Sequence, residues 1–238
     1  MNELNIFEQG QAMLIDKPLD WTSFDVVRKL RRLVRTKKVG HAGTLDPLAT
    51  GLLIVCTGKF TKRINEYMAR EKEYTGTVTL GAVTPTYDLE SEPVFVGDYG
   101  GVTLSRVNEV IAARFSGGIM QIPPAHSAIK VGGQRVYELA RKGREVKLEP
   151  RPVVISAFGI TAFRLPEIGF RVVCSTGTYI RSLANDLGAA LGCGGYLSGL
   201  RRTRIGEFRV EDAMTMEGAE EWIGRMFEGG AAGRRQNG

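Results

Sequence analysis

Residues that ligate metals are scarce in this chain of 238 residues. It has three cysteines, Cys56, Cys174 and Cys193, and two histidines, His41 and His126. An odd cysteine count with no C-x-x-C argues against a disulfide framework or a zinc ribbon. Two histidines argue against a histidine-rich metal centre. No metal is expected, and the cysteine usage fits a reducing compartment. No stretch approaches the ~18 consecutive apolar residues of a membrane span. The opening MNELNIFEQG has acids and no apolar core, so it does not read as a secretory signal. A cytoplasmic protein without membrane contact is the expectation. A phosphate-binding P-loop is lacking too: Thr57-Gly58-Lys59 is followed by Phe60 where Ser or Thr is required, and no glycine stands five residues before Gly58. The chain has no other cofactor motif, so no cofactor is expected.

What is present fits one large domain or two small ones. At 43% hydrophobic residues, a core can form without metal or disulfide staples. Lysine and arginine number 32 against 26 acids, a net charge of +6, which points to a polyanionic partner. The basic residues are clustered. Arg28, Lys29, Arg31, Arg32, Arg35, Lys37 and Lys38 follow one another with no acid between 28 and 38. This is either a solvated helix face or a phosphate-contacting surface.

Periodicity gives the outline. Residues 12–16 read as a strand stopped by Lys17-Pro18. Phe24, Val27, Leu30 and Val34 recur at helical spacing, giving a helix over 23–35 with Thr22 and Ser23 as candidate caps. The run 52–56 reads as a buried strand and the alternating 73–83 as another. Residues 84–101 read as a surface connection, and 104–115 as a helix stopped by Gly117-Gly118. Residues 121–150 open with Pro123-Pro124 and carry Lys130, Arg135, Arg141, Lys142, Arg144 and Lys147, a basic excursion with a short helix at VYELARKG. Residues 153–163 and 168–175 read as paired strands around Pro166. Residues 179–191 read as a helix capped by Thr178, residues 196–212 as strand, turn and strand, and 216–227 as a last helix. Residues 229–238 read as a disordered tail. Strands and helices mix without a βαβ rhythm, so an α+β fold with a largely antiparallel sheet is expected.

The densest local pattern is Gly40-His41-Ala42-Gly43-Thr44-Leu45-Asp46-Pro47-Leu48-Ala49-Thr50-Gly51. Its glycines allow close backbone approach or positive φ. Pro47 keeps Asp46 extended, so its carboxylate sits on a fixed loop, as a nucleophile or general base requires. Taken alone, an Asp-Pro in a glycine-rich loop is usually a turn.

This segment resembles the catalytic motif of TruB-type pseudouridine synthases over a dozen residues. Further segments resemble that family in the same order: Asp16-Lys17-Pro18 before the Thr22-Ser23 helix start, Lys72-Glu73-Tyr74, Ser175-Thr176-Gly177-Thr178-Tyr179-Ile180-Arg181, and Leu200-Arg201-Arg202-Thr203. The excursion with Ser127, Ala128 and Lys130 is similar to the RNA-clasping thumb of the bacterial tRNA enzymes. Together the resemblance covers about residues 11–210. It implies a pseudouridine synthase catalytic domain over 1–228, with 121–150 as the thumb.

The resemblance also implies roles. Asp46 is the essential carboxylate, and Arg181 pairs with it and holds it ionised. Tyr74 stacks on the uracil and is the candidate for proton transfer at C5. His41 assists base flipping. Lys17, Pro18 and Leu200 buttress the pocket, while Lys130, Arg201 and Arg202 contact RNA. The implied reaction isomerises uridine to pseudouridine in the T loop of tRNA, at position 55, with no cofactor, by an enzyme acting as a monomer without an obligatory protein partner. Many bacterial members continue into a PUA-like domain, for which the stretch after Asp212 is too short. A non-catalytic RNA binder on the same fold is the principal rival. A guide-RNA-dependent relative is disfavoured by the insertion at 121–150.

Overall fold

Residues 6–124, 130–131, 134–135 and 148–232 are described in a computed structural model. In chain order they form α1 (Ile6–Gln9), β1 (Ala12–Lys17), α2 (Ser23–Leu33), β2 (Val39–His41), β3 (Ala49–Thr57), a 3-10 turn (Gly58–Arg63), α3 (Ile64–Met68), β4 (Lys72–Leu80), β5 (Ala82–Val83), β6 (Val94–Phe95), α4 (Leu104–Arg114), β7 (Gly117–Gln121), β8 (Lys130–Val131), β9 (Gln134–Arg135), β10 (Arg151–Arg164), β11 (Glu167–Cys174), α5 (Ile180–Leu191), β12 (Gly195–Ile205), β13 (Phe208–Arg209), a 3-10 turn (Val210–Asp212) and α6 (Met216–Ala232). The arrangement is α+β, a central and mostly antiparallel sheet flanked by helices, as the mixed periodicity predicts. No helix among the described residues is long and apolar enough to cross a membrane.

Two compact units divide the chain: residues 1–72 with 201–238, and residues 73–200. In the first, β1 pairs antiparallel with β3 from Ala12↔Cys56 to Lys17↔Gly51, and β2 pairs with the end of β3. β3 is buried along almost its whole length because both of its faces are covered. Leu53 and Val55 join Met13, Ile15, Val26 and Leu30 under α2 and α6. Leu52, Ile54 and Cys56 face the other way, with Tyr67, Ile205 and Val210. This explains a continuous apolar run where a strand with one wet face would alternate.

Helix α2 starts at a capping box: the Thr22 hydroxyl accepts from the Asp25 N–H, and the Asp25 carboxylate accepts from the Thr22 N–H. It ends where Arg35 takes a left-handed conformation at φ 54°. Its basic residues are partly committed to the fold. Lys29 pairs with Glu220 at 3.0 Å, Arg31 donates to the Val39 carbonyl, and Arg35 lies over the Phe227 ring.

In the second unit β10 and β11 form the expected antiparallel pair, turning at the cis Leu165-Pro166 bond, and β7 adds to the far side of β10. β4 alternates as its sequence predicts, with Tyr74, Val78 and Leu80 buried. Three expectations change. The segment 84–101 is not a plain surface connection, because Thr84, Thr86 and Asp88 are buried. Thr178 does not cap α5; its hydroxyl donates to the Ser175 carbonyl, and Tyr179 occupies the cap position. Helix α6 runs to Ala232, past the expected end at 227. Of the basic excursion, Lys130–Val131 pairs with Gln134–Arg135. Residues 125–129, 132–133 and 136–147, with the expected helix at VYELARKG, lie outside the described residues, as do 233–238.

Gly51, the third residue of β3, has φ +101°, and a Cβ there would stand 2.3 Å from the carbonyl oxygen of Arg202. Backbone cannot yield as a side-chain tip can. Gly51→Ala is therefore expected to destabilise the protein by about 2 kcal/mol or more. In urea unfolding the midpoint falls while the slope stays constant. A wild-type midpoint would contradict this packing.

Candidate active site

The loop joining β2 to β3 carries Asp46, and its backbone is fastened from several directions. The Ala42 N–H donates to the Ile54 carbonyl at 2.9 Å. The Gly43 carbonyl accepts from a terminal nitrogen of Arg202 at 3.1 Å, while Arg202 Nε donates to the Leu52 carbonyl at 2.7 Å. The Ser23 hydroxyl accepts from the Leu45 N–H at 2.9 Å and donates to the Leu45 carbonyl at 3.1 Å. The Pro47 carbonyl accepts from the Asp20 N–H at 3.0 Å and from Lys17 Nζ at 3.3 Å. The Asp46 carbonyl accepts from the Ala49 N–H at 3.0 Å. The residues on both sides of Asp46 are thus held by named donors and acceptors, while Asp46 itself is half-buried.

Lys17 is fully buried, and its ammonium meets three carbonyls, those of Pro18 at 3.0 Å, Trp21 at 2.5 Å and Pro47 at 3.3 Å. Burial pulls its pKa from 10.5 down to about 8, and the negative charge of Asp46 is the strongest influence resisting that fall. The expected buttress is therefore also a cation within electrostatic reach of Asp46. Pro18 contributes its carbonyl to the same ammonium. Burial, followed by the positive charge of Arg202, lowers the pKa of His41, so its ring is neutral near pH 7. Its buried Nδ1 has no hydrogen-bond partner among the described residues.

Arg202 departs from its expected role. It is 1% exposed and its guanidinium is committed to Gly43 and Leu52, so it cannot lie on a phosphate. It organises the loop instead. Arg201 grips both carboxylate oxygens of Asp16, at 2.7 and 3.0 Å, and keeps its side chain 40% exposed.

In the second unit Arg181 sits in the first turn of α5, 5% exposed. It donates to the Thr86 carbonyl at 3.1 Å and faces the Asp88 carboxylate at 3.6 Å, with both side chains 6% exposed. A buried guanidinium needs such a partner. Asp88 is fixed in turn by accepting from the Glu90 N–H. The Gln121 side chain brackets Tyr179 just before α5, donating to its carbonyl and accepting from its N–H. Tyr74 is 7% exposed on the buried side of β4, and Leu200 is half-buried at the unit's last position. Nothing is described of the Lys130 side chain beyond its place in β8.

Ser23, Asp88 and Gln121 were missed as site residues. Ser23 stood out only as a candidate cap, and neither acid nor amide had a local pattern to mark it.

The Lys17 geometry has a direct test. Because its folded pKa lies below the unfolded one, the unfolded chain holds more protons between about pH 8 and 10.5, and this group's contribution to stability rises with pH through that window. Titration of the Lys17 Cε resonance is expected to show a midpoint near 8, moving lower in Asp46→Asn as the supporting charge is removed. A midpoint near that of a free lysine, or one indifferent to Asp46→Asn, would remove the ammonium from this site.

Comparison with known proteins bears on the family. The TruB family pseudouridylate synthase (N terminal domain) matches residues 31–180, and the tRNA pseudouridylate synthase B C-terminal domain matches 181–226. The chain is 50% identical over 223 residues to the tRNA pseudouridine synthase B of Phocaeicola vulgatus, covering 91% of this chain and 94% of that one. It is 45% identical over 234 residues to the protein of the same name from Chloroherpeton thalassium, covering 96% and 97%. Among solved structures it matches a chain of a Cbf5-Nop10-Gar1 complex with a TM-score of 0.72 at 29% identity, covering 94% of this chain but only 57% of that longer one. On this agreement of sequence and fold, the chain belongs to the TruB family of pseudouridylate synthases.

Proposed function

We propose that this isomerase acts on the T loop of tRNA, converting the uridine at position 55 to pseudouridine with Asp46 as the essential carboxylate. The observation that carries this reading is the construction of the Asp46 loop. Leu45 is clamped by Ser23, Gly43 by Arg202, and Pro47 by Lys17 and Asp20, so the carboxylate is placed before RNA arrives.

The reaction breaks the C1′–N1 bond, turns the uracil and forms a C1′–C5 bond. The C5 proton is lost and N1 regains one, so no oxidant or group donor is needed. Addition of the carboxylate to C1′, its addition to C6 and passage through a glycal all need a fixed, ionised carboxylate. Arg181, oriented by Asp88, holds Asp46 in that form. Tyr74 stacks on the uracil and serves the proton transfer at C5. Its burial on an apolar strand face keeps water from the detached base.

The base must leave its stack, at a cost of a few kcal/mol. A neutral His41 with an unpartnered ring nitrogen suits the space the base vacates. Arg201 and Lys130 contact the RNA backbone, and Lys17, Pro18 and Leu200 support the pocket. The enzyme works as a monomer on the T arm, without a protein partner, in the cytoplasm.

Wild-type protein and Asp46→Asn are incubated with an unmodified tRNA transcript, and pseudouridine is mapped by carbodiimide-dependent primer-extension stops. The expected result is a single T-loop stop for the wild type and none for Asp46→Asn, although both bind the transcript. Binding by both with pseudouridine from neither would refute the catalytic reading and leave an RNA-binding protein.

A further inference from the structure

Helix α2 leaves one large apolar side chain in water. Phe24 is 59% exposed, and Leu19, on the turn before the helix, is 53% exposed. Scattered apolar residues are ordinary on protein surfaces, so exposure alone decides nothing. Position decides more. Ser23, next to Phe24, holds both backbone groups of Leu45, and Asp20, next to Leu19, donates its N–H to Pro47. Both apolar side chains therefore stand on the segment that is bonded to either side of Asp46.

Phe24 does not stand alone on the helix. Arg28 and Arg32 follow it at successive four-residue steps, which puts the three on one stripe. The buried residues of the helix, Ser23, Val26, Val27 and Leu30, lie on another face. Arg28 is 58% exposed and is steadied by Asp25 at 2.7 Å. Arg32 is exposed and has no ionic partner among the described residues. Both arginines line an open cavity of about 460 Å³ together with Trp21, Leu33, Lys29 and the acids Asp20 and Asp25. Arg32 is therefore left available by the fold, and Arg28 keeps its guanidinium largely in water beside Asp25.

An exposed ring followed by two exposed guanidinium groups, beside a loop that receives an unstacked nucleotide, matches how single-stranded RNA is held. Bases stack on rings and phosphates meet cations. We propose that Phe24 is a stacking platform for an unpaired base of the RNA strand that carries the target uridine, with Arg28 and Arg32 taking the neighbouring phosphates. Leu19 extends the apolar lip on which that base rests. The inference rests on the reading that RNA is the substrate.

Affinity for an unmodified tRNA transcript is measured by filter binding over a range of salt concentrations, alongside the melting temperature of each variant. Phe24→Ala is expected to bind about 5- to 100-fold more weakly, the equivalent of losing one base stack. Its melting temperature stays at the wild-type value, because the ring is mostly in water. Phe24→Trp restores the affinity. Arg32→Gln flattens the dependence of log Kd on log salt by about one unit. Wild-type affinity in Phe24→Ala overturns the proposal. So does a loss of affinity that appears only with a lowered melting temperature, or that Phe24→Trp fails to repair. A wild type that binds tRNA but makes no pseudouridine would defeat the catalytic reading and still leave this comparison of affinities decisive.

Discussion

A guanidinium held out of water must satisfy its N–H groups with protein, and the way Arg202 does so sets the geometry around Asp46. Its Nε donates to Leu52 in the middle strand of the first unit, and a terminal nitrogen donates to Gly43 in the loop. One side chain thereby ties the loop to the most buried strand of that unit. Gly51 allows the backbone of Arg202 to lie so close, since any Cβ there would overlap its carbonyl. The charge also acts at a distance: it helps keep His41 neutral and helps depress the pKa of Lys17. Geometry and electrostatics of the loop thus share one source.

Three further groups complete the enclosure, and each acts on backbone. Ser23 takes both polar groups of Leu45, Asp20 takes the Pro47 carbonyl, and the Lys17 ammonium draws that carbonyl and two from its own turn together. Backbone anchoring fixes the loop on both sides of Asp46: Leu45, Pro47 and Gly43 are all held through their main chain. The second unit follows the same logic around Arg181, whose guanidinium meets the Thr86 carbonyl and the Asp88 carboxylate while Gln121 fixes the residue before its helix. In both units a buried arginine is oriented by partners distant in sequence.

That distance explains what the sequence could and could not disclose. Elements with a strong period were legible: the alternation of β4, the spacing of Val27, Leu30 and Val34 on and after α2, and the apolar run of β3 each reflect local burial, whereas Phe24, at the same helical spacing, lies in water. The Asp46 loop stood out because its whole length carries a pattern. Arg202 was legible as a motif residue but not in its role, since a one-dimensional pattern cannot separate a buried cation from a solvated one. Ser23 read as a cap and is a clamp, a difference that depends on a residue 22 positions away. Asp88 sat in a stretch of Pro, Asp and Glu that looked like surface. Its burial depends on Arg181, 93 positions later in the chain. The basic face of α2 proved divided, with Lys29 and Arg35 bound to α6 and Arg28 and Arg32 facing solvent.

The central claim is that the Asp46 loop is built in the free protein and does not form only when RNA binds. Native-state hydrogen exchange of the Leu45 amide tests it most directly. That N–H donates to the buried hydroxyl of Ser23. In protein without RNA, the Leu45 amide is expected to exchange as slowly as amides inside β3, through large-scale opening only. Exchange at the rate of an exposed loop, slowing only when tRNA is added, would show that the RNA assembles the loop and would contradict the account.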